Sequence, residues 1–141
     1  MRDTDVEPRG SSLKGKHVLL GVTGGIAAVD TVRLSRELRR HGANVSVVMT
    51  PSAQKIITPL AVRWASQGEV ITDWDGDLAG LSNFDAILVA PATRNLLASF
   101  VHGIMNGPLL MALSAARSRG TPIMMIPVSY THLTLTTKRI V

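Results

Sequence analysis

The chain has 141 residues, of which 45% are hydrophobic, a formal net charge of +5 and no cysteine. This length suffices for one domain with its own core, and the absence of cysteine excludes disulfides and thiol catalysis within these residues. No run approaches the roughly 20 apolar residues of a membrane span, and residues 1–15 lack the apolar segment of a signal peptide, so we expect a cytoplasmic protein without a membrane partner.

The densest basic stretch lies in the first predicted helix and contains Arg33, Arg36, Arg39 and Arg40. Arg33, Arg36 and Arg40 share one face at helical spacing. No aromatic side chains are interleaved with these charges, and no nucleic-acid-binding signature accompanies them. We therefore interpret the basic residues as a solvated helix face and expect no nucleic-acid partner.

The first elements follow a polar start. Residues 1–15 predict a flexible leader, and the apolar run His17–Val22 predicts the first strand. Apolar residues then recur at helical spacing from Ala27 to Leu38, which predicts a helix with one buried stripe. Gly42 follows as the expected glycine after the helix.

The second strand is predicted at Val45–Met49, because its continuous apolar run is typical of a strand covered on both faces. A helical pattern then runs from Ala53 to Trp64, and Pro59 interrupts it. Thr58 and Pro59 also suit the N-cap and first position of a new helix, so we expect two short helices in tandem. Trp64 is interpreted as a core anchor.

The rest of the chain continues the alternation of strands and helices. The predicted elements are a short strand at Val70–Thr72, a strand at Ala86–Ala90 ended by Pro91, a helix capped by Thr93, a helix started by Asn106-Gly107-Pro108 and ended by Gly120, and an apolar run at Ile123–Ile126. This order predicts a single doubly wound α/β domain with a parallel sheet covered on both faces.

Ligands bind such sheets at the carboxyl ends of the strands. Three segments that we expect there are Thr23–Ile26, Thr50–Ala53 and Pro91–Asn95, and a fourth follows Ile126. Their convergence predicts a ligand site at this edge of the sheet.

The turn Gly21–Ala28 connects the first strand to the first helix. Its glycines let the backbone turn sharply and approach a ligand, and the first N–H groups of the following helix favour an anion. Residues Thr23 to Ala27 could therefore seat a phosphate. The motif is not G-x-G-x-x-G, and a tight strand-to-helix turn without a ligand explains it as well.

Five segments in order resemble the flavoprotein family of phosphopantothenoylcysteine decarboxylases. They are Gly21–Ala28, Val48–Thr50 with Ala53, Ile57–Leu60, Ala90–Asn95 and Gly103-Ile104. The likeness extends from about Lys16 to Pro127. It implies a flavodoxin-like, Rossmann-like three-layer fold, FMN as cofactor, a small-molecule substrate in coenzyme A biosynthesis, and a homotrimer or an assembly of trimers.

The same resemblance implies roles for individual residues. Thr23, Gly24, Gly25 and Ile26 would line the ribityl phosphate, Thr50 would lie near the flavin, Pro91 and Ala92 would face the isoalloxazine ring, and Thr93 and Asn95 would bind the phosphate end. Backbone N–H groups, hydroxyls and an amide can bind phosphate without a lysine.

The chain departs from the family at two places. Family decarboxylases carry an active-site histidine shortly before the third strand, and Asp77 stands at that position here. A carboxylate can act as a base but does not copy a neutral imidazole near pH 7. The family continues after the fourth main strand with a Pro-Ala-Met-Asn segment, whereas residues 128–141 resemble a translated library adapter.

We divide the chain into a flexible leader at 1–15, an FMN-binding domain at 16–127 and an atypical tail at 128–141. The tail is suspected to be non-native, so we expect a C-terminally incomplete fold. Asp77 is the catalytic candidate by its position. Because it replaces the histidine and the later segments are missing, we expect the 141-residue chain to show no measurable decarboxylase activity.

Three function classes remain open from the sequence. The first is a flavin-dependent decarboxylase, and the second is an FMN-binding accessory or prenyltransferase-like protein, which Asp77 favours. The third is a dinucleotide-dependent oxidoreductase, but Met49-Thr50-Pro51-Ser52 lacks the acidic residue that would bind the ribose. No metal is expected, because Asp73, Asp75 and Asp77 lack the later ligands of a calcium loop.

Overall fold

The computed structural model describes residues 2–73 and 83–127. Its strands are β1 (His17–Val22), β2 (Asn44–Met49), β3 (Val70–Ile71), β4 (Ala86–Ala92) and β5 (Ile123–Pro127). Its α-helices are α1 (Thr31–Arg40), α2 (Pro59–Ser66), α3 (Arg94–Val101) and α4 (Pro108–Arg119), and 3₁₀ helices cover Ile26–Asp30 and Ala53–Lys55. In the described part of the chain, no helix has the length and apolar character needed to cross a membrane.

All strand pairs are parallel, and the strand order is β3-β2-β1-β4-β5. The chain runs outward from β1 through β2 to β3, and then returns to β4 on the other side of β1. The order therefore reverses between β1 and β4, which is where a doubly wound sheet opens a crevice at the carboxyl ends of its strands. The predicted parallel, doubly wound α/β fold is confirmed.

The sheet is buried on both faces by alternate side chains of the same strands. Val18, Leu20 and Val22 of β1 contribute to one core with α1 and α2, whereas Leu19 belongs to a second core with α3 and α4. All four of these side chains are buried. Burying apolar area on both faces is the main stabilising contribution to such a layered domain.

Several predicted helix ends are confirmed. Thr58 Oγ1 accepts a hydrogen bond from the N–H of Ala61 at 3.2 Å, and Thr93 Oγ1 accepts one from the N–H of Leu96 at 3.3 Å. Gly120 has a φ of +74° at the end of α4, a conformation that costs little only for glycine.

Three local predictions are wrong. β4 does not end at Pro91 but continues through Ala92. The α-helix of the first crossover begins at Thr31 rather than Ala27, because a 3₁₀ helix occupies the turn before it. Trp64 is 36% exposed and not a core anchor. Its ring centroid lies 4.8 Å from the guanidinium carbon of Arg36.

The N-terminal segment lies against α1. The N–H of Arg9 donates to the carbonyl of Arg40, and the N–H of Leu13 donates to the carbonyl of His41, both at 2.9 Å. The guanidinium groups of Arg36 and Arg39 donate to carbonyls of residues 5 and 4, also at 2.9 Å. Two arginines of the basic stretch therefore bind the chain's own backbone rather than only solvent.

Candidate functional site

A cavity of about 540 Å³ lies at the carboxyl ends of β1, β2, β3 and β4. This volume falls in the range of about 300–1,000 Å³ that is typical of small-molecule sites. Its floor is apolar, and its polar lining consists mostly of neutral donors. The uncharged polar side chains that line it are Thr23, Thr50, Ser52, Thr72, Thr93, Asn95, Ser99 and Asn106.

Gly24 lets the turn after β1 close against the turn after β2. A Cβ atom built on Gly24 would lie 2.5 Å from the Cβ of Ser52, a distance that real Cβ atoms do not tolerate. Gly24 does not have a positive φ. Glycine is therefore required here for close approach of two cavity walls rather than for an unusual backbone conformation.

Thr50 continues the wall after β2. Its backbone N–H donates to the carbonyl of Val22 at 3.0 Å, which ties the end of β2 to the end of β1. Its Oγ1 accepts from the N–H of Ala53 at 3.3 Å and holds the start of the following 3₁₀ helix. The remaining hydroxyl proton of Thr50 is a donor that can serve a ligand.

Two α-helices begin at the cavity. Thr93 and Asn95 bring the N-terminus of α3 to the lining, and Gly107 and Pro108 bring the N-terminus of α4. The first N–H groups of a helix have no partners within the helix, and its dipole favours negative charge at this end. Together with hydroxyl and amide donors, these two helix ends suit an anionic ligand.

Asp73 gives the cavity a charged side. It is the one ionisable side chain on the lining within residues 2–73 and 83–127, and no lysine or arginine of those residues joins it. Asp73 follows β3, whereas Thr93 and Asn95 follow β4, and β2 and β1 lie between these two strands. An anionic group is therefore favoured near the β4 end and disfavoured near Asp73.

Thr23 links the turn after β1 to the end of β4 and the residue that follows it. Its side chain is buried, its hydroxyl donates to the carbonyl of Pro91 at 2.5 Å, and its oxygen accepts from the N–H of Thr93 at 3.1 Å. The two bonds connect segments that are far apart in sequence at the point where the cavity begins.

The structure brings together five of the residues to which the resemblance gives a role. Thr23, Gly24, Thr50, Thr93 and Asn95 all line the cavity. These five residues follow three different strands, so only the parallel sheet places them side by side.

Four other residues with expected roles do not line this cavity. Gly25 is not on its lining, Ile26 is 75% exposed, and Ala92 is buried in the core. Pro91 lines a second cavity of about 490 Å³ on the α1 side of the sheet. Their roles toward a flavin stay predictions.

The catalytic candidate Asp77 lies outside the described residues, as do Asp75 and the tail at 128–141. Among the described residues, no three His, Asp or Glu side chains are grouped as a metal site would require.

Sequence reasoning missed Asp73 and Ser99 as lining residues. Ser99 lies four positions after Asn95 on the same helix, so helical spacing could have indicated it. Asp73 follows a short strand at the sheet edge, and its place on the lining depends on the register of that strand with β2, which the sequence does not specify.

Comparisons with known proteins agree with this arrangement. The family model described as Flavoprotein matches residues 7–138. The coenzyme A biosynthesis bifunctional protein CoaBC of Thermococcus kodakarensis is 39% identical over 128 residues, which cover 86% of this chain and 32% of that protein. The protein of the same name from Haemophilus influenzae is 38% identical over 123 residues, covering 82% of this chain and 30% of that protein.

The chain thus spans about a third of the length of the curated relatives it matches. Among solved structures, the FMN-dependent cysteine decarboxylase SpaF is similar with a TM-score of 0.77 and 26% identity, over 86% of this chain and 73% of that one. The match of the family model over most of the sequence and the identity to the curated relatives establish that the chain belongs to the Flavoprotein family.

Proposed function

We propose that this chain is the FMN-binding part of a flavin-dependent decarboxylase that acts on a cysteine-derived carboxylate. The observation that carries the proposal is the cavity at the carboxyl ends of β1 to β4, with neutral donors and two helix N-termini on its lining. Membership of the Flavoprotein family and the likeness to an FMN-dependent cysteine decarboxylase support the choice of cofactor and reaction.

The residues present fit a phosphate-bearing cofactor. Thr93 Oγ1 accepts from the N–H of Leu96, so its hydroxyl proton is available to a phosphate oxygen. The amide of Asn95 can donate to the same group, and the N-termini of α3 and α4 lower the cost of its charge without a lysine. Gly24 and Thr50 then border the rest of the ligand.

Bound FMN would supply the two-electron oxidation of the substrate thiol that makes the loss of carbon dioxide easy. The chain's own residues hold the reactants in place and handle protons. Asp73 is the ionisable group that the described cavity offers for accepting a proton at its carboxylate oxygens. The resemblance puts Asp77 at the position of the family histidine, and we propose a role for it in proton transfer.

The substrate that we propose for the whole protein is phosphopantothenoylcysteine, in line with the relatives named for coenzyme A biosynthesis. We also propose a homotrimer, or an assembly of trimers, in the cytoplasm. Sedimentation equilibrium of the purified protein tests the assembly: a mass of three chains, or a multiple of it, is expected, and a monomer at all concentrations contradicts it.

Titration with FMN tests the proposed cofactor directly. Binding in the cavity is expected to quench flavin fluorescence, and denaturation should release free FMN. Riboflavin, which lacks the phosphate, serves as the matched control and should bind more weakly. Saturation with NAD without any binding of FMN would contradict the proposal. Because the 141-residue chain is expected to release no measurable carbon dioxide, the assay with phosphopantothenoylcysteine on the whole protein separates a decarboxylase from a protein that only binds FMN.

A further inference from the structure

The hydroxyl of Thr23 connects the turn after β1 to the end of β4, beyond the point where the backbone pairing of these two strands ends. The pairing of β1 with β4 runs from Val18 with Ala86 to Gly21 with Val89. Beyond that point, Thr23 Oγ1 donates to the carbonyl of Pro91 and accepts from the N–H of Thr93. One side chain therefore supplies a donor and an acceptor where the backbone ladder has ended.

These two bonds leave Thr23 little capacity for a ligand. A threonine hydroxyl has a single proton to donate, and the proton of Thr23 is engaged by the carbonyl of Pro91 in a side chain that is only 2% exposed. A phosphate oxygen is an acceptor and needs that proton. The direct phosphate contact that the resemblance implies for Thr23 is therefore disfavoured by the geometry.

The bond to Thr93 acts at the start of α3. Thr93 uses its N–H to reach Thr23 and its Oγ1 to cap Leu96, which fixes the residue at both its backbone and its side chain. The donors that remain for a ligand are the Thr93 hydroxyl proton and the amide of Asn95. Their position relative to Gly24 depends on the bridge through Thr23, because all of these groups border one cavity.

We propose that Thr23 is a positioning residue for the cofactor phosphate, which holds Thr93 and Asn95 in place without donating to the ligand. The inference rests on the proposed function, in that the ligand is FMN. Loss of the hydroxyl leaves the Pro91 carbonyl and the Thr93 N–H without their partner in a buried place, and that cost is expected to loosen the start of α3.

Thr23→Val removes the hydroxyl and keeps the shape of the side chain, and Thr23→Ser keeps the hydroxyl. The matched control is Thr31→Val. Thr31 is also 2% exposed, its hydroxyl donates to the carbonyl of Ala28 at 2.6 Å, and it does not line the candidate FMN cavity. The control therefore removes one equally buried hydroxyl at a distance from the proposed phosphate site.

The first measurement is hydrogen exchange of the Thr93 amide in the full chain without flavin. We expect Thr23→Val to speed this exchange by about tenfold or more, because the Thr93 amide loses one buried hydrogen bond that protects it. Thr23→Ser and Thr31→Val should leave Thr93 exchange near its wild-type value. An unchanged exchange rate of the Thr93 amide in Thr23→Val would contradict the proposed hydrogen bond between Thr23 and Thr93.

The second measurement is the FMN dissociation constant. Thr23→Val should weaken binding by about 10- to 100-fold, whereas Thr23→Ser and Thr31→Val should stay within about threefold of wild type. Because Thr23 acts through α3, its effect should shrink when Asn95→Ala is already present. Fully additive losses would indicate direct contact with the phosphate and overturn the positioning role.

The two measurements also separate this inference from the proposed function. A wild-type chain that does not bind FMN would contradict the proposed function and the predicted effect on affinity. The exchange of the Thr93 amide would still decide whether the Thr23 hydroxyl bridges the turn after β1 to the end of β4.

Discussion

The two ends of β1 use polar side chains in opposite ways. At the amino end, the backbone N–H of His17 donates to the carboxylate of Asp85 at 2.7 Å, and its Nε2 lies 2.8 Å from Ser46 Oγ. The imidazole ring also packs edge-on against Phe84, with centroids 4.6 Å apart. The backbone N–H and the Nε2 of His17 are thus paired within the protein, and the arrangement contributes to stability rather than binding.

The carboxyl end of β1 instead borders a cavity. Gly24 lets the turn after β1 close against the turn after β2, and Thr50, Thr93 and Asn95 present donors on the lining of the cavity. β1 therefore has paired polar groups at its amino end and an open cavity lined by hydrogen-bond donors at its carboxyl end. Substitutions at the amino end should change the free energy of unfolding, and substitutions at the carboxyl end should mainly change ligand affinity.

The largest effect is expected for Gly24→Val. The Cβ of the added side chain would lie 2.5 Å from the Ser52 Cβ, so the valine would push against the cavity wall. We expect FMN binding to weaken by about 100-fold, which corresponds to an overpacking cost of about 3 kcal/mol. Fluorescence titration measures it. The smaller variant Gly24→Ala, combined with Ser52→Gly, removes the opposing Cβ and should recover most of the affinity. An FMN affinity equal to that of the wild type in Gly24→Val would contradict the proposed difference between the two ends of β1.

Asn95→Ala is expected to weaken FMN binding by about 1–3 kcal/mol, because the charged phosphate loses an amide donor. The matched control is Asn83→Ala. Asn83 is exposed, precedes β4 at the amino edge of the sheet, and accepts a weak bond from Arg119 at 3.4 Å. An equal loss of affinity in both variants would show that the effect is not specific to the cavity.

His17→Ala tests the other end. It removes the contact with Ser46 and the packing on Phe84, so we expect the free energy of unfolding to fall by about 1–2 kcal/mol with no change in FMN affinity. Urea unfolding and flavin titration measure the two quantities. His17→Phe keeps an aromatic ring against Phe84 and should lose less stability. A large loss of FMN affinity in His17→Ala would mean that the two ends are coupled.

The smallest effect is expected for a substitution of Glu37, which lies on α1 and serves as a reference away from both ends of β1. The hydrogen bond from Arg40, helped by the charges of Arg9, Arg40 and His41, lowers the pKa of Glu37 from its ordinary value of 4.5. A lowered folded-state pKa adds stability that is fully present above about pH 4.5 and is lost as the pH falls through the folded value.

The corresponding variant is Glu37→Gln. It should lower the melting temperature slightly at pH 7, and the difference from wild type should vanish toward pH 3. FMN affinity should not change. A difference that grows toward acid pH would reverse the sign of this interaction.

The sequence was sufficient for the features that repeat locally. Apolar runs followed by helical spacing predicted the parallel sheet, and the Thr58 and Thr93 caps followed from residue type and position. The edge at which the cavity lies also followed, because the carboxyl ends of parallel strands coincide whatever the side chains are.

The sequence was not sufficient where a tertiary contact decides. Pro91 was expected to end β4, since proline lacks an N–H and cannot extend a ladder. In the structure the β1–β4 pairing has already ended at Val89, and the pairing with β5 shifts register there, so position 91 requires no donor.

Trp64 was expected in the core on helical spacing alone. Its indole instead contacts Arg36 and donates to Asp3, two partners that lie in other segments. The role of Thr23 was equally inaccessible from the sequence, because its partners lie at the end of β4 and directly after it, some 70 positions later.

The contact of Trp64 with the N-terminal segment makes this residue an optical reporter. Its indole N–H lies 3.2 Å from a carboxylate oxygen of Asp3, under the guanidinium of Arg36. The chain contains two tryptophans, so replacing Trp74 with phenylalanine leaves a single emitter at Trp64. The wavelength of its emission would then report the detachment of the first residues from α1 and α2, and this emission is separate from that of the flavin.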